Sequence, residues 1–430
     1  MAKDIKISLS YLPVINFAMQ QNHVPVIREI SVWNDGDEIV RDIDIVVSFE
    51  PEFALEYKTR IDMIAPGTEA KVSVVPITVS TEFLSNLTER ILGNIKAVAR
   101  SGDEDLSVKH YGISILAFNE WGGSGVMPEM LAAFSTPNHP EVALIIKRAS
   151  EILAKWTGSS AFNAYQDRDP GSVKYQMAAV YEAIKEKAIR YCVCAASFEE
   201  QGQRIRLADE LVSMKLGNCL DMTMLYVSCL EAIGLHPLIV LTERHAFAGC
   251  WLIPDSFADG FNDDSSLLTK RMVDGINEVL VVECTAMNEH SDASFDRACD
   301  SAKDRLLSRD DFELFIDVCR ARVSHIRPLP LRVVDADGKY SVEDEDVKTR
   351  HSSPTEMRAT DLIIDKEVCS LLQPYRSDKI ARRNVHCLLK LSVQMHAAHS
   401  DFAAEILYTE IRILHILANG LYYLADQLVA

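Results

Sequence analysis

No stretch of 18 uninterrupted apolar residues occurs in the 430-residue chain, which excludes a transmembrane helix of the usual kind. A basic excess is also absent. The chain carries 44 Lys and Arg against 63 Asp and Glu, a net charge of −19, whereas a surface that tracks phosphates needs clustered cations. Neither membrane insertion nor direct nucleic-acid binding is therefore expected. No Cys-x-x-Cys pair exists, Cys192-x-Cys194 is too close for ordinary zinc pairing, and His396-x-x-His399 has no nearby acid in helical register. The reading is of a protein without metal or cofactor. Its ten cysteines form no regular framework and read as free thiols of a reducing compartment, so a cytoplasmic location is expected. Pro13 and Asn16 interrupt the apolar N-terminal run, and no small-x-small cleavage site follows, so the run reads as a first β-strand and not as a signal peptide.

Core-forming material is plentiful, with 48% apolar and 25% charged residues, and the length suggests several domains. Residues 1–120 read as an all-β domain. Ile43, Ile45, Val47 and Phe49 repeat at a two-residue period, as do Val72 and Val74, then Ile77 and Val79. Asn34-Asp35-Gly36-Asp37 and Ser101-Gly102-Asp103 supply turns, and the whole suggests an immunoglobulin-like sandwich. Residues 121–330 read as a mixed α+β domain. Val142, Ile145, Ala149, Ile152 and Trp156 predict one face of a helix from Pro140 to near Gly158, and a second helix is expected after a Ser172 cap. Residues 237–253 and 279–285 read as strands. Residues 331–360, with Glu343-Asp344-Glu345-Asp346, read as an acidic linker. Residues 361–430 read as a helical docking segment: Ile413, Leu417, Leu421, Leu424 and Leu428 form one stripe, and Leu407, Ile411 and Leu414 form another. A helix apolar on two faces needs a cover, from a second copy of the chain or from a partner protein.

The chemistry concentrates in three places. Leu216-Gly217-Asn218-Cys219-Leu220-Asp221 leads into an amphipathic helix, which puts Cys219 at a helix N-terminus, where orphan N–H groups and the dipole favour a thiolate. Asp221 suits a helix-capping carboxylate. His245 opens an apolar strand, and Glu283 lies on a second one. A cysteine nucleophile needs a base to take its proton and a third group to orient that base, and Cys219, His245 and Glu283 supply the set. Gln203 is a candidate second donor for an oxyanion beside the Cys219 backbone N–H, and Trp251 a candidate wall of the cleft.

Gly217-Asn218-Cys219, His245-Ala246-Phe247 and Glu283-Cys284-Thr285 resemble, in order and type, the signature of the transglutaminase-like superfamily of papain-related thiol enzymes. The usual acid there is Asp, and here it is Glu. A second resemblance covers about residues 20–330. It rests on Asn119-Glu120-Trp121-Gly122-Gly123, Asn138-His139-Pro140, the segment from Ala196 to Arg206, Cys219-Leu220-Asp221 and His245 to Trp251, which look like the N-terminal region of certain very large bacterial helicases linked to genome maintenance and phage defence. No Gly-x-x-x-x-Gly-Lys-Ser/Thr loop occurs in this chain, so no helicase activity carries over, and a partner would have to bring the motor. Arg244 stands where a small residue is expected and would crowd the site. These resemblances imply a thiol acyl-transfer enzyme (protease, deamidase or transamidase) acting on a protein or peptide amide. The alternative is a catalytically silent binding module on the same fold.

Overall fold

Alternating apolar residues build two antiparallel layers at the N-terminus of the computed structural model, which describes residues 4–192, 202–273, 275–307, 311–334 and 339–342. The elements are β1 (Ile5–Tyr11), β2 (Val14–Ile15), α1 (Phe17–Gln21), β3 (Ile27–Asn34), β4 (Val40–Glu50), β5 (Tyr57–Ile64), β6 (Thr68–Val72), α2 (Thr81–Asn86), β7 (Ile91–Ser101) and β8 (Glu104–Ile115). One sheet has the order β1-β3-β6 and the other β2-β8-β7-β4-β5. Ile43, Ile45 and Val47 of β4 are fully buried, as the two-residue period requires, with Ile7, Ile30 and Val32 in the same core. The hairpin at Ser101-Gly102 uses Gly102 at φ +60, where a side chain would be strained. The expected alternation through Val79 ends early. β6 stops at Val72, Val74 is exposed, and only an isolated bridge joins Val79 to Ala54. Pro76, lacking an N–H, cannot continue the ladder.

Helices take over after β9 (Glu120–Trp121). α3 (Pro140–Thr157) starts with proline in its first turn and ends on Gly158 at φ +80, burying Val142, Ile145, Ala149 and Ile152, although Trp156 stays half-exposed. α4 (Pro170–Lys185) is capped by Asp169 and not by Ser172: the Asp169 carboxylate accepts from the N–H groups of Gly171 (2.9 Å) and Ser172 (3.2 Å). Proline prefers the first helical position, so the start moves three residues upstream of the expected one.

The remainder of the central region runs β10 (Arg190–Tyr191), β11 (Gln203–Arg204), α5 (Ala208–Met214), β12 (Leu216–Gly217), α6 (Cys219–Ala232), β13 (Pro237–Thr242), β14 (His245–Trp251), β15 (Phe261–Asn262), α7 (Ser266–Arg271), β16 (Val279–Val282), α8 (Phe295–Leu307), β17 (Phe312–Asp317) and α9 (Val318–Val323). A five-stranded antiparallel sheet, β15-β17-β13-β14-β16, forms its frame. Every residue of α6 from Cys219 to Leu230 is buried, the mark of an interior helix. Ile239, Leu241, Ala246, Ala248 and Cys250 share the core of α6, while Leu238, Val240, Phe247 and Trp251 join a second cluster with Phe257, Leu268 and Leu306. The larger core also contains Ile5, Ile43 and Ile95, so it runs from the N-terminal layers into the helical region, and residues up to 345 group as one unit. The fold is mixed α/β with several sheets. Among the described residues, no helix is long and apolar enough to cross a membrane.

Part of the expected linker is structured. β18 (Arg332–Val334) and β19 (Tyr340–Val342) pair as a hairpin on α2, where the Asn86 amide donates to the Tyr340 carbonyl (2.9 Å) and accepts from the Tyr340 N–H (2.8 Å). The Arg332 guanidinium lies 3.7 Å from the Tyr340 ring centroid and 4.6 Å from that of Phe118. This stacking replaces the large apolar side chains that the segment lacks. The rest of the acidic linker, 343–360, and the helical segment 361–430 lie outside the described residues; a second unit begins at Asp346. Arg332→Ala is expected to cost about 1–2 kcal/mol, the worth of partly desolvated cation–π contacts. Denaturant titration of the full chain reads this, and an unchanged midpoint would mean that the hairpin adds nothing to the fold.

Candidate active site

The first turn of α6 is held by a closed set of polar contacts. Asn218 caps the helix, its side-chain oxygen accepting from the Asp221 N–H (2.9 Å), while Asp221 Oδ2 accepts from the Asn218 N–H (3.0 Å). This reciprocal arrangement is a capping box. Asp221, wholly buried, also accepts from the Arg206 N–H (2.8 Å) and from Arg206 Nη1 (2.8 Å). Cys219 is thereby fixed as the first helical residue, 5% exposed, where helix geometry leaves its N–H without an intrahelical acceptor. Its position at a helix N-terminus matches the expectation from sequence.

β13 and β14 form a hairpin in which Thr242 pairs with His245, so the histidine opens its strand directly after a two-residue turn. Arg244 occupies that turn with its side chain exposed and does not crowd the site. His245 Nε2 lies 2.9 and 2.8 Å from the two Glu283 oxygens. An ionised carboxylate only accepts, so Nε2 carries a proton and Nδ1 is left for the thiol. Glu283 follows β16 directly and caps a short 3-10 turn, its Oε1 also accepting from the Thr285 N–H (3.1 Å) and hydroxyl (2.7 Å). Burial lowers the pKa of His245, but hydrogen bonds to Cys219 and Glu283 and the Glu283 charge outweigh it, raising it to about 9. Burial favours a neutral Glu283, yet the His245 and Thr285 bonds hold the carboxyl below its ordinary value. The structure thus brings Cys219, His245 and Glu283 together.

Two neighbours have no signal in the sequence. Tyr191, on β10, pairs in parallel with Gly217, two residues before Cys219; burial and then the Cys219 and Glu283 charges raise its pKa. Arg305, in the last turn of α8, places Nε 3.6 Å from Glu283 Oε2. Burial pushes the thiols of Cys229, Cys250, Cys284 and Cys299 well up, which suits packed, inert cysteines.

The other two candidates fall differently. Gln203 pairs with Trp121 on β11 and lines a cavity of about 590 Å³ together with Asn218, the residue before Cys219; its Oε1 is buried without a hydrogen-bond partner among the described residues. Trp251 does not wall the cleft. It is fully buried, its indole Nε1 donating to Asp317 (3.2 Å), and it lies six residues along β14 from His245, about 20 Å away. Strand alternation also puts it with Phe247, away from the core of α6.

No family model matches the chain, and no curated protein matches it. Among solved structures it is similar to a fragment of Escherichia coli alpha-2-macroglobulin spanning domain MG7 to the C-terminus, with 14% identity over 54% of this chain and 39% of that one and a TM-score of 0.19. It is also similar to a family 76 glycoside hydrolase from a bovine Bacteroides thetaiotaomicron strain, with 10% identity over 53% and 49% and a TM-score of 0.14. The chain thus spans less than half of either protein, and superpositions this poor carry no argument about fold or function.

Two outcomes follow for stability. Asp221→Ala removes a buried acceptor of three N–H groups and is expected to cost about 3 kcal/mol, read by chemical denaturation. The His245 contribution is complete below its unfolded value of 6.5 and is lost as pH rises through about 9. That of Glu283 is complete above 4.5 and is lost as pH falls through its lower folded value. Melting curves across pH should therefore show His245→Asn destabilising most near pH 5–6 and least above pH 9; a constant penalty would contradict the assigned charges.

Proposed function

We propose that the chain is a thiol acyl-transfer enzyme acting on an amide of a protein or peptide. The observation behind this reading is the convergence of a helix-start cysteine, a histidine and a buried carboxylate, with both Glu283 oxygens on His245 Nε2. In the reaction, the Cys219 sulfur attacks the amide carbonyl while His245 holds the thiol proton. The oxyanion meets the Cys219 backbone N–H, with Gln203 as the proposed second donor. Collapse breaks the C–N bond, and His245 passes its proton to the leaving amine, leaving a thioester on Cys219. Water or a second amine then attacks the thioester and returns a proton to His245, the C–S bond breaks, and the thiolate is regenerated. We further propose a transglutaminase-like central domain, an immunoglobulin-like arrangement of the N-terminal layers and, from the resemblance to helicase N-terminal regions, a role in phage defence or genome maintenance. Residues 361–430 are the proposed docking element for a second copy or a motor protein.

A silent binding module is the second reading, and one observation favours it: Cys219 is 5% exposed. Alkylation with iodoacetamide at pH 6, followed by peptide mass spectrometry, separates the two. The enzyme reading expects labelling chiefly at Cys219, slowed at least about tenfold by His245→Asn, which removes the group that takes the thiol proton. Labelling of Cys219 no faster than of the other cysteines favours the silent module.

A further inference from the structure

Arg305 has more capacity than the triad uses. Its side chain is 40% exposed, and its one ion-pair partner among the described residues is Glu283, at 3.6 Å from Nε. That separation is too long for a hydrogen bond. Glu283 Oε1 already accepts from His245, the Thr285 N–H and the Thr285 hydroxyl, and Oε2 accepts from His245, so the carboxylate is held without Arg305. A guanidinium presents five N–H donors in a planar fork that matches a carboxylate. The helix dipole favours a cation in the last turn of α8, yet it does not require one that leans over the triad acid.

The position is also specific. Arg305 stands beside Glu283 Oε2, the carboxylate oxygen that also faces His245 Nε2, so the guanidinium lies one residue removed from the base of Cys219. In a chain of net charge −19, an anion approaches against the overall field unless a local cation receives it.

We propose that Arg305 is the anion-binding residue of this cleft, so that the acyl donor bears a carboxylate beside the carbonyl that Cys219 attacks. The inference rests on Cys219 being the nucleophile, and it adds the substrate class.

Iodoacetate and iodoacetamide test it, because they deliver the same carbon to sulfur with loss of iodide and differ only in carrying a carboxylate or an amide. The quantity read is the ratio of the two rates at Cys219 in the full chain, whatever happens to either rate alone. Wild type is expected to favour iodoacetate. Arg305→Gln should lower the ratio roughly fivefold, the upper end for a solvent-exposed ion pair, and Arg305→Lys should keep most of it. His245 attracts the anion in all three proteins and cancels. An equal loss of both rates in Arg305→Gln would make Arg305 only a positioning residue for Glu283 and overturn the proposal, as would an unchanged ratio. If iodoacetamide fails to single out Cys219 in wild type, the enzyme reading fails instead, which keeps the two failures distinct. Slowing of iodoacetate by N-acetylaspartyl amide but not by N-acetylglycine assigns the carboxylate to a side chain, the reverse assigns it to a chain end, and slowing by neither counts against a substrate anion at this position.

Discussion

The Asp221 carboxylate is the contact on which the site most depends. It is wholly buried and accepts from the Asn218 N–H, the Arg206 N–H and the Arg206 guanidinium. These three donors come from two separate stretches of chain. One is the start of α6, and the other follows β11, which pairs with β9 at the end of the N-terminal layers. A buried charge is tolerated only when its lone pairs are filled, so the carboxylate forces both stretches into one geometry. Cys219 inherits its place from that constraint, two residues away on a helix that is buried along nearly all its length.

Glu at position 283 has a local fit. Glu283 ends its strand and caps the turn at Cys284–Met287, with Thr285 donating twice to Oε1. The longer side chain folds back onto its own backbone and still spans to His245 Nε2 with both oxygens. Extra length that would otherwise bring rotamer freedom is taken up by the Thr285 contacts. The pair then polarises in opposite directions, with the histidine held protonated and the carboxyl ionised.

What could be read from residue order was local. The period-two burial of β4, the α3 stop at Gly158 and the cap preceding Cys219 all follow from neighbours within a few residues. Cys219, His245 and Glu283 each sit in a short segment of recognisable type, which is why they could be proposed together. Tyr191 could not, since a two-residue parallel pairing sets it beside Gly217, a long-range contact without periodicity. Arg305 lies on the flank of α8, among other charged residues that look the same in sequence. Trp251 departs from the expected cleft position because six strand residues carry it away from His245 into the second apolar cluster. The hairpin from Arg332 to Val342 has no apolar signature in the sequence because a guanidinium stacked on two rings fills the place of an apolar side chain.

The continuous core has a consequence for how the molecule fails. Ile43 and Ile95 of the N-terminal layers, Leu220 and Leu230 of α6, and Ile239 of the central sheet belong to one apolar cluster. Units that share a core of this kind melt cooperatively and give little independent local opening. Damage to a strand more than a hundred residues from Cys219 in sequence is then felt at the sulfur as the same transition. The reactivity of a single thiol becomes a gauge of order in layers that it never touches.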